Sequence, residues 1–132
     1  MSEQRNSYKG RPPRAWLTLR LLDRAGEPLD LELLADTGAS QGIVVQQELF
    51  ERLVIRKTRN IDTNFGVMQG GWIRLHSTEL GLVELVEAFG CDEMAKSAMR
   101  SSLDFSGVVG LPVLRLMEYG GNDDSFWIRT PS

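Results

Sequence analysis

The chain holds one cysteine, Cys91, and one histidine, His76, among its 132 residues. A lone cysteine cannot close an intramolecular disulfide, so packing alone must hold the fold, and a reducing compartment, the cytoplasm, is the expected location. Long apolar runs are also missing. No stretch approaches the roughly 20 consecutive apolar residues of a membrane span, and the opening MSEQRNSYKGRPPR has no apolar core of an export signal, so neither membrane insertion nor Sec-type export is expected. Net positive charge is absent as well: 15 Lys and Arg against 18 Asp and Glu leave a formal charge of −3, which gives no reason to expect nucleic acid or a membrane surface as a partner. The basic clusters Arg5, Lys9, Arg11, Arg14 and Arg52, Arg56, Lys57, Arg59 read as solvated surface.

These shortages narrow the chemistry. A Ser-His-Asp or Cys-His mechanism would have to pass its proton through His76, which sits in WIRLHST beside no nucleophile elbow. One histidine and one cysteine cannot supply a closed four-ligand zinc set, so no metal is expected. The glycines of GVMQGGW lack the Lys-Ser/Thr and the strand-to-helix setting of a phosphate loop. What is left is carboxylate chemistry.

With 42% hydrophobic and 25% charged residues, the chain is read as one globular domain over 14–132, preceded by a flexible arm over 1–13. AWLTLRLL (15–22) and LDLELLA (29–35) alternate leucines with polar residues, and DRAGEP between them makes the pair a hairpin. IVV (43–45) is a short strand, and QQELFERL (46–53) a short helix with Val45, Leu49 and Leu53 on one face. NFGVMQGGWIRL (64–75) suggests a hairpin with its tip near Gln69, Gly70 and Gly71. ELGLVELVEAF (79–89) is strand-like without a single apolar face, and CDEMAKSAM (91–99) places Cys91, Met94, Ala95, Ala98 and Met99 on one helical stripe, read as packing. SGVVGLPVLRLMEYGG (106–121) reads as a buried strand ending at Gly110 and a short helix opened by Pro112. SFWIR (125–129) is a final strand. Mostly short strands with a few short helices make a small β-barrel or sandwich.

Asp36 is the interesting carboxylate because of its neighbours. Four of the five residues before it are apolar, so it is expected to be partly desolvated, where the charged form of a carboxylate is disfavoured. Gly38 would permit a φ > 0 turn that presents Asp36 outward, and Thr37 offers a hydroxyl to fasten the loop. An Asx-turn at a strand end is the competing reading of an isolated Asp-Thr-Gly.

LADTGAS together with GVVGLPVL (107–114) resembles the two signature segments of retropepsin-like, retroviral-type aspartic proteases, over about residues 15 to 130. The resemblance implies an all-β, retropepsin-like acid protease barrel with one or two short helices and a glycine-rich flap hairpin. It further implies an aspartic endopeptidase acting on polypeptide, without metal or organic cofactor. Only one Asp-Thr-Gly is present, and Asp104 in LDFSG does not supply a second, so the site would need a homodimer in which two Asp36 meet on a two-fold axis. The paired carboxylates would share one proton and activate a water against the peptide carbonyl. Around the catalytic Asp36, the active-site loop would be Thr37, Gly38, Ala39 and Ser40, with Thr37 bonding across the axis and Gly38 admitting substrate. Gly107, Val108, Val109 and Gly110 would form the wall behind. Gly66, Val67, Met68, Gln69, Gly70, Gly71 and Trp72 would form the flap.

Three departures from the family pattern stand out. The family commonly has Asp where this chain has Ser40, and Arg where it has Leu111, an ion pair near the interface in the retroviral enzymes; both members are missing together, which leaves no charge unpaired. Residue 39 is Ala, so no hydroxyl there stabilises the aspartate anion, and a less acidic optimum is expected than in relatives with Ser or Thr. The segment 87–104 is longer than the minimal retroviral scaffold and is a candidate cap for the site or the interface. The alternative to a peptidase is a non-catalytic peptide-binding or dimerisation module on the same fold.

Overall fold

The computed structural model describes residues 2–63, 66–92 and 107–131. Along them run β1 (Glu3–Ser7), β2 (Trp16–Leu22), β3 (Pro28–Asp36), β4 (Ile43–Val45), α1 (Gln47–Leu53), β5 (Arg56–Thr63), β6 (Gly66–Ser77), β7 (Leu82–Gly90), β8 (Gly107–Gly110), α2 (Leu111–Leu114), β9 (Glu118–Gly121) and β10 (Ser125–Arg129). A 3-10 turn at Thr78–Leu80 joins β6 to β7.

The β2–β3 hairpin follows directly from its alternation. Leu17, Leu19, Leu21 and Leu33 point into the core and are fully buried, while Thr18 and Arg20 face out. The register sets Leu17 opposite Leu33 and Leu19 opposite Leu31, so leucines stack across the pair. In the turn the Asp23 carboxylate accepts the N–H groups of Ala25 and Glu27, both at 2.9 Å, and Gly26 takes the left-handed φ of 87° that a tight connection needs.

The seven-stranded sheet runs β2-β3-β8-β4-β7-β6-β5, and an added pairing of β2 with β6 closes its first six strands into a barrel. Closure pairs β3, β8, β4 and β7 on both sides, while β2 meets β6 only at Leu21 and Leu22, which leaves its Trp16 end without a strand partner on that side. Consecutive strands β3 and β4 do not pair with each other. Instead β8 lies between them, parallel to β3 and antiparallel to β4. The loop from Asp36 to Gly42 must therefore arch over the C-terminal end of β8. Inside the barrel Leu17, Leu33, Ile43, Ile73 and Val109 form the core, and α1 adds Phe50 and Leu53 to it. No helix among the described residues is long and apolar enough to cross a membrane.

Several expectations are corrected here. Residues 3–7, assigned to a flexible arm, form β1, which pairs with β10 in a three-stranded sheet completed by β9. EQRNS has no apolar rhythm to announce a strand. Its polar side chains hold it against β2: Gln4 Nε2 donates to the Thr18 carbonyl and Gln4 Oε1 accepts the Thr18 N–H, both at 2.7 Å, while Asn6 Nδ2 donates to the Trp16 carbonyl at 3.1 Å. A side-chain amide thus stands in for a neighbouring strand and seals the β2 edge. Arg52, Arg56, Lys57 and Arg59 are exposed, as read, but the strand β5 that carries the last three of them was not anticipated. The hairpin tip is not at Gln69–Gly71, because β6 is one long strand and Thr63 pairs with Gly66 at the β5–β6 turn. The helical stripe of 91–99 and the proposed cap in 87–104 extend beyond Asp92 into residues outside the described ones. Cys91 itself is a buried free thiol.

Candidate active site

Alternation along each strand decides which side chains can meet Asp36. Leu33 and Val109 point into the core, so Leu34 and Asp36 on β3, and Val108 and Gly110 on β8, face the other way. The parallel register sets Asp36 opposite Gly110 and Leu34 opposite Val108. Across β8, Val108 faces Val44, which in turn lies opposite Phe89 of β7, itself opposite Gly70 of β6. Val44, Met68, Phe89 and Cys91 form a second apolar cluster outside the barrel core, with Ile61 and Val108 packed against it. That cluster lies on the same face as Asp36.

The motif loop is fastened by backbone. Asp36 Oδ1 accepts the Gly38 N–H at 2.9 Å and the Asp36 carbonyl accepts the Ala39 N–H at 3.1 Å, the Asx-turn geometry foreseen as the competing reading. The Ala39 carbonyl accepts the Leu111 N–H at 3.1 Å, and the Gly42 carbonyl accepts the Gly110 N–H at 2.8 Å. Four hydrogen bonds thus tie Asp36–Gly42 to itself and to the end of β8. Gly110 is a point of close approach, since a Cβ there would run into the Gln41 carbonyl oxygen and lie 2.9 Å from that of Ala39.

The local reading of the motif changes in three respects. Asp36 is exposed, not partly desolvated, because the apolar residues before it alternate and only Leu31 and Leu33 are buried. Gly38 is not among the glycines at positive φ; a Cβ on it would lie 3.3 Å from Asp36 Oδ1, so its smallness matters next to the carboxylate. The Thr37 hydroxyl is exposed and makes no hydrogen bond among the described residues. Ala39 is half-buried, and Ser40 is exposed.

Of the residues assigned to a flap, Gly66 sits at the β5–β6 turn with φ of 98°, and Val67 is exposed beside it. Met68 belongs to the second apolar cluster, Gln69 pairs with both Asn60 and Gly90, and Trp72 faces out. Gly70 and Gly71 are packing glycines of mid-strand. A Cβ on Gly70 would lie 2.6 Å from the Arg59 carbonyl oxygen and 2.8 Å from the Phe89 ring, and one on Gly71 would meet Val54 and Phe50 of the core. Sequence reasoning missed Val44, Ile61 and Phe89 as neighbours of the site. The available signal was the run AFGC at the end of 79–91, apolar on both faces because both faces are covered there.

Beside the cluster, Arg59 of β5 and Glu87 of β7 form a two-pronged ion pair, Nη2 to Oε1 at 3.0 Å and Nε to Oε2 at 3.3 Å, and the Thr58 hydroxyl donates to Oε2 at 2.7 Å. The Arg59 hydrogen bonds hold the Glu87 carboxyl below its ordinary 4.5, with burial working the other way. A carboxyl whose value is lowered by folding adds stability above its ordinary range and loses it as pH falls through the folded value. Glu87→Gln should therefore lower the melting temperature at neutral pH and flatten its fall between about pH 5 and 3. An unchanged acid limb would show that the pair adds nothing, the fate of many exposed ion pairs.

A cavity of about 550 Å³ opens next to this pair, floored by Phe89 and Val113 and walled by Trp72, Leu116 and the loop Ser40–Gly42. The architecture is similar to that in the crystal structure of a retropepsin-like aspartic protease from Rickettsia conorii, at 17% identity and a TM-score of 0.52 over 96% of this chain and 98% of that one. No protein-family model and no curated protein sequence matches the chain. Among the described residues, six closed strands, two short helices and the insertion of β8 between β3 and β4 make this the retropepsin-like all-β fold.

Proposed function

We propose that the chain is an aspartic endopeptidase that works as a homodimer on polypeptide substrates. The carrying observation is Asp36 itself: its backbone is fixed at the barrel's end opposite Gly110, yet its carboxylate is exposed on the face that bears the second apolar cluster. A second copy related by a two-fold axis would bring two such carboxylates together. One, protonated, would polarise the scissile carbonyl, and the other would take a proton from the attacking water. Thr37, whose hydroxyl is exposed, is available to bond across the axis, and the β5–β6 hairpin would cover substrate.

Leu111 and Ser40 bear on the dimer. Leu111 is 36% exposed directly after Gly110, so an axis through the Asp36 pair would set an apolar contact where the retroviral enzymes have an ion pair. Loss of that pair is also what motivates the second reading, a peptide-binding or dimerisation module without turnover. The buried thiol of Cys91 suits a reducing cytoplasm.

Sedimentation and peptide hydrolysis measured on the same samples over a wide concentration range test this reading. Activity should rise with the square of protein concentration while the monomer dominates and follow the dimer fraction thereafter. Hydrolysis by a strict monomer would defeat the shared dyad, and a dimer inert toward a broad peptide library would favour the binding module.

A further inference from the structure

We infer that the cavity between the motif loop and Trp72 is a substrate subsite that selects a cationic side chain, lysine or arginine, at a position of the peptide away from the scissile bond; this rests on the peptidase reading. The cavity is continuous with the site in two ways. Ser40, Gln41 and Gly42, the loop that leaves Asp36, form one wall, and Ile61 and Phe89 belong both to its lining and to the apolar cluster on the Asp36 face. A peptide lying across that cluster would carry a side chain into the cavity.

The charge around the opening decides which side chain. Arg59, Asp62, Glu84 and Glu87 line it, one cation against three carboxylates. Arg59 and Glu87 neutralise each other through two hydrogen bonds. Asp62 and Glu84 are exposed and form no ion pair among the described residues, so the surplus negative charge is theirs. Trp72, 38% exposed, and Leu85, 55% exposed, offer apolar area to the methylene stem of a long side chain, and the indole face attracts its charged head. An acidic side chain would meet like charge, and a short one would leave the cavity unfilled. The occupant that satisfies both the apolar walls and the acidic rim is a long cation.

The test is cleavage of peptide sets that vary one position at a time, by the wild-type full-length dimer and by the Asp62→Asn, Glu84→Gln double variant. One position on the peptide should favour Lys or Arg over Glu by about tenfold in kcat/KM, the sum expected of a partly exposed ion pair and an aromatic contact. In the double variant that ratio should fall to within about twofold. A preference that survives neutralisation, or no basic preference at any position, overturns the inference while leaving the peptidase reading intact. Should no peptide be cut, the peptidase reading fails separately. Binding of a lysine-containing and a glutamate-containing peptide to the Asp36→Asn variant, read from tryptophan fluorescence, then decides the pocket: stronger binding of the lysine peptide supports it, and equal binding overturns it.

Discussion

Asp36→Asn is expected to abolish peptide hydrolysis, by at least about a thousandfold, because paired catalytic groups fail as a unit when either is removed and each subunit loses its own. The same change should shift the melting temperature by no more than about 3 °C. The first half rests on the proposed dyad, the second on the geometry. The carboxylate is exposed, and its hydrogen bond is the one accepted by Oδ1 from the Gly38 N–H. An asparagine carbonyl oxygen can accept that same bond, so the turn survives. What asparagine cannot do is serve as a general acid or base toward water and the peptide. Activity assays at several pH values, with sedimentation of the variant beside the wild type to compare their assembly, separate the two effects. A variant as active as the wild type would remove Asp36 from the mechanism and leave it a turn residue.

Gly110→Ala is expected to behave in the opposite way, damaging the fold and, through it, the site. A Cβ at 110 would strike the Gln41 carbonyl oxygen and press on Ala39, with 2.9 Å to its carbonyl oxygen and 3.0 Å to its Cβ. Two of these three are backbone atoms of the loop that carries Asp36, so no side chain can rotate out of the way. The loop must lift, which strains the Gly110 to Gly42 and Leu111 to Ala39 hydrogen bonds. Overpacking of about 1–3 kcal/mol and about 1 kcal/mol for each weakened bond give an expected loss of roughly 3–5 kcal/mol. A urea titration should show a lower midpoint at constant slope. A midpoint within experimental error of the wild type would mean that the loop is not clamped on β8.

The two variants would separate the proposed chemistry of the motif from its scaffold, and the sequence was informative about both to different degrees. The leucines of 17–21 and 29–33 alternate, so the hairpin and the place of Asp36 at its end were legible. GVVG followed by LPVL announced a buried strand and a helix opened by proline, and both are present. β5 was not legible, since RKTRNIDT carries no apolar alternation. It hangs outside the closed barrel as an edge strand, where charged residues are favoured. The glycines at 70 and 71 were misread for a related reason. Glycine marks a turn and a close backbone approach equally well, and only the Phe89 ring and the core side chains at Val54 and Phe50 tell the two apart.

By itself, the sequence determined the elements whose signal is local. Periodicity placed Asp36 at a strand end, Asp23 and Gly26 made the turn before it, and Pro112 opened a helix after Gly110. Tertiary structure alone decided that β8 enters between two consecutive strands, that Gly110 lies opposite Asp36, and that Val44, Phe89 and Met68 share its face. Such relations come from hydrogen bonding between segments far apart in the chain. Each strand's own pattern records only which residues are buried, not which strand lies beside it.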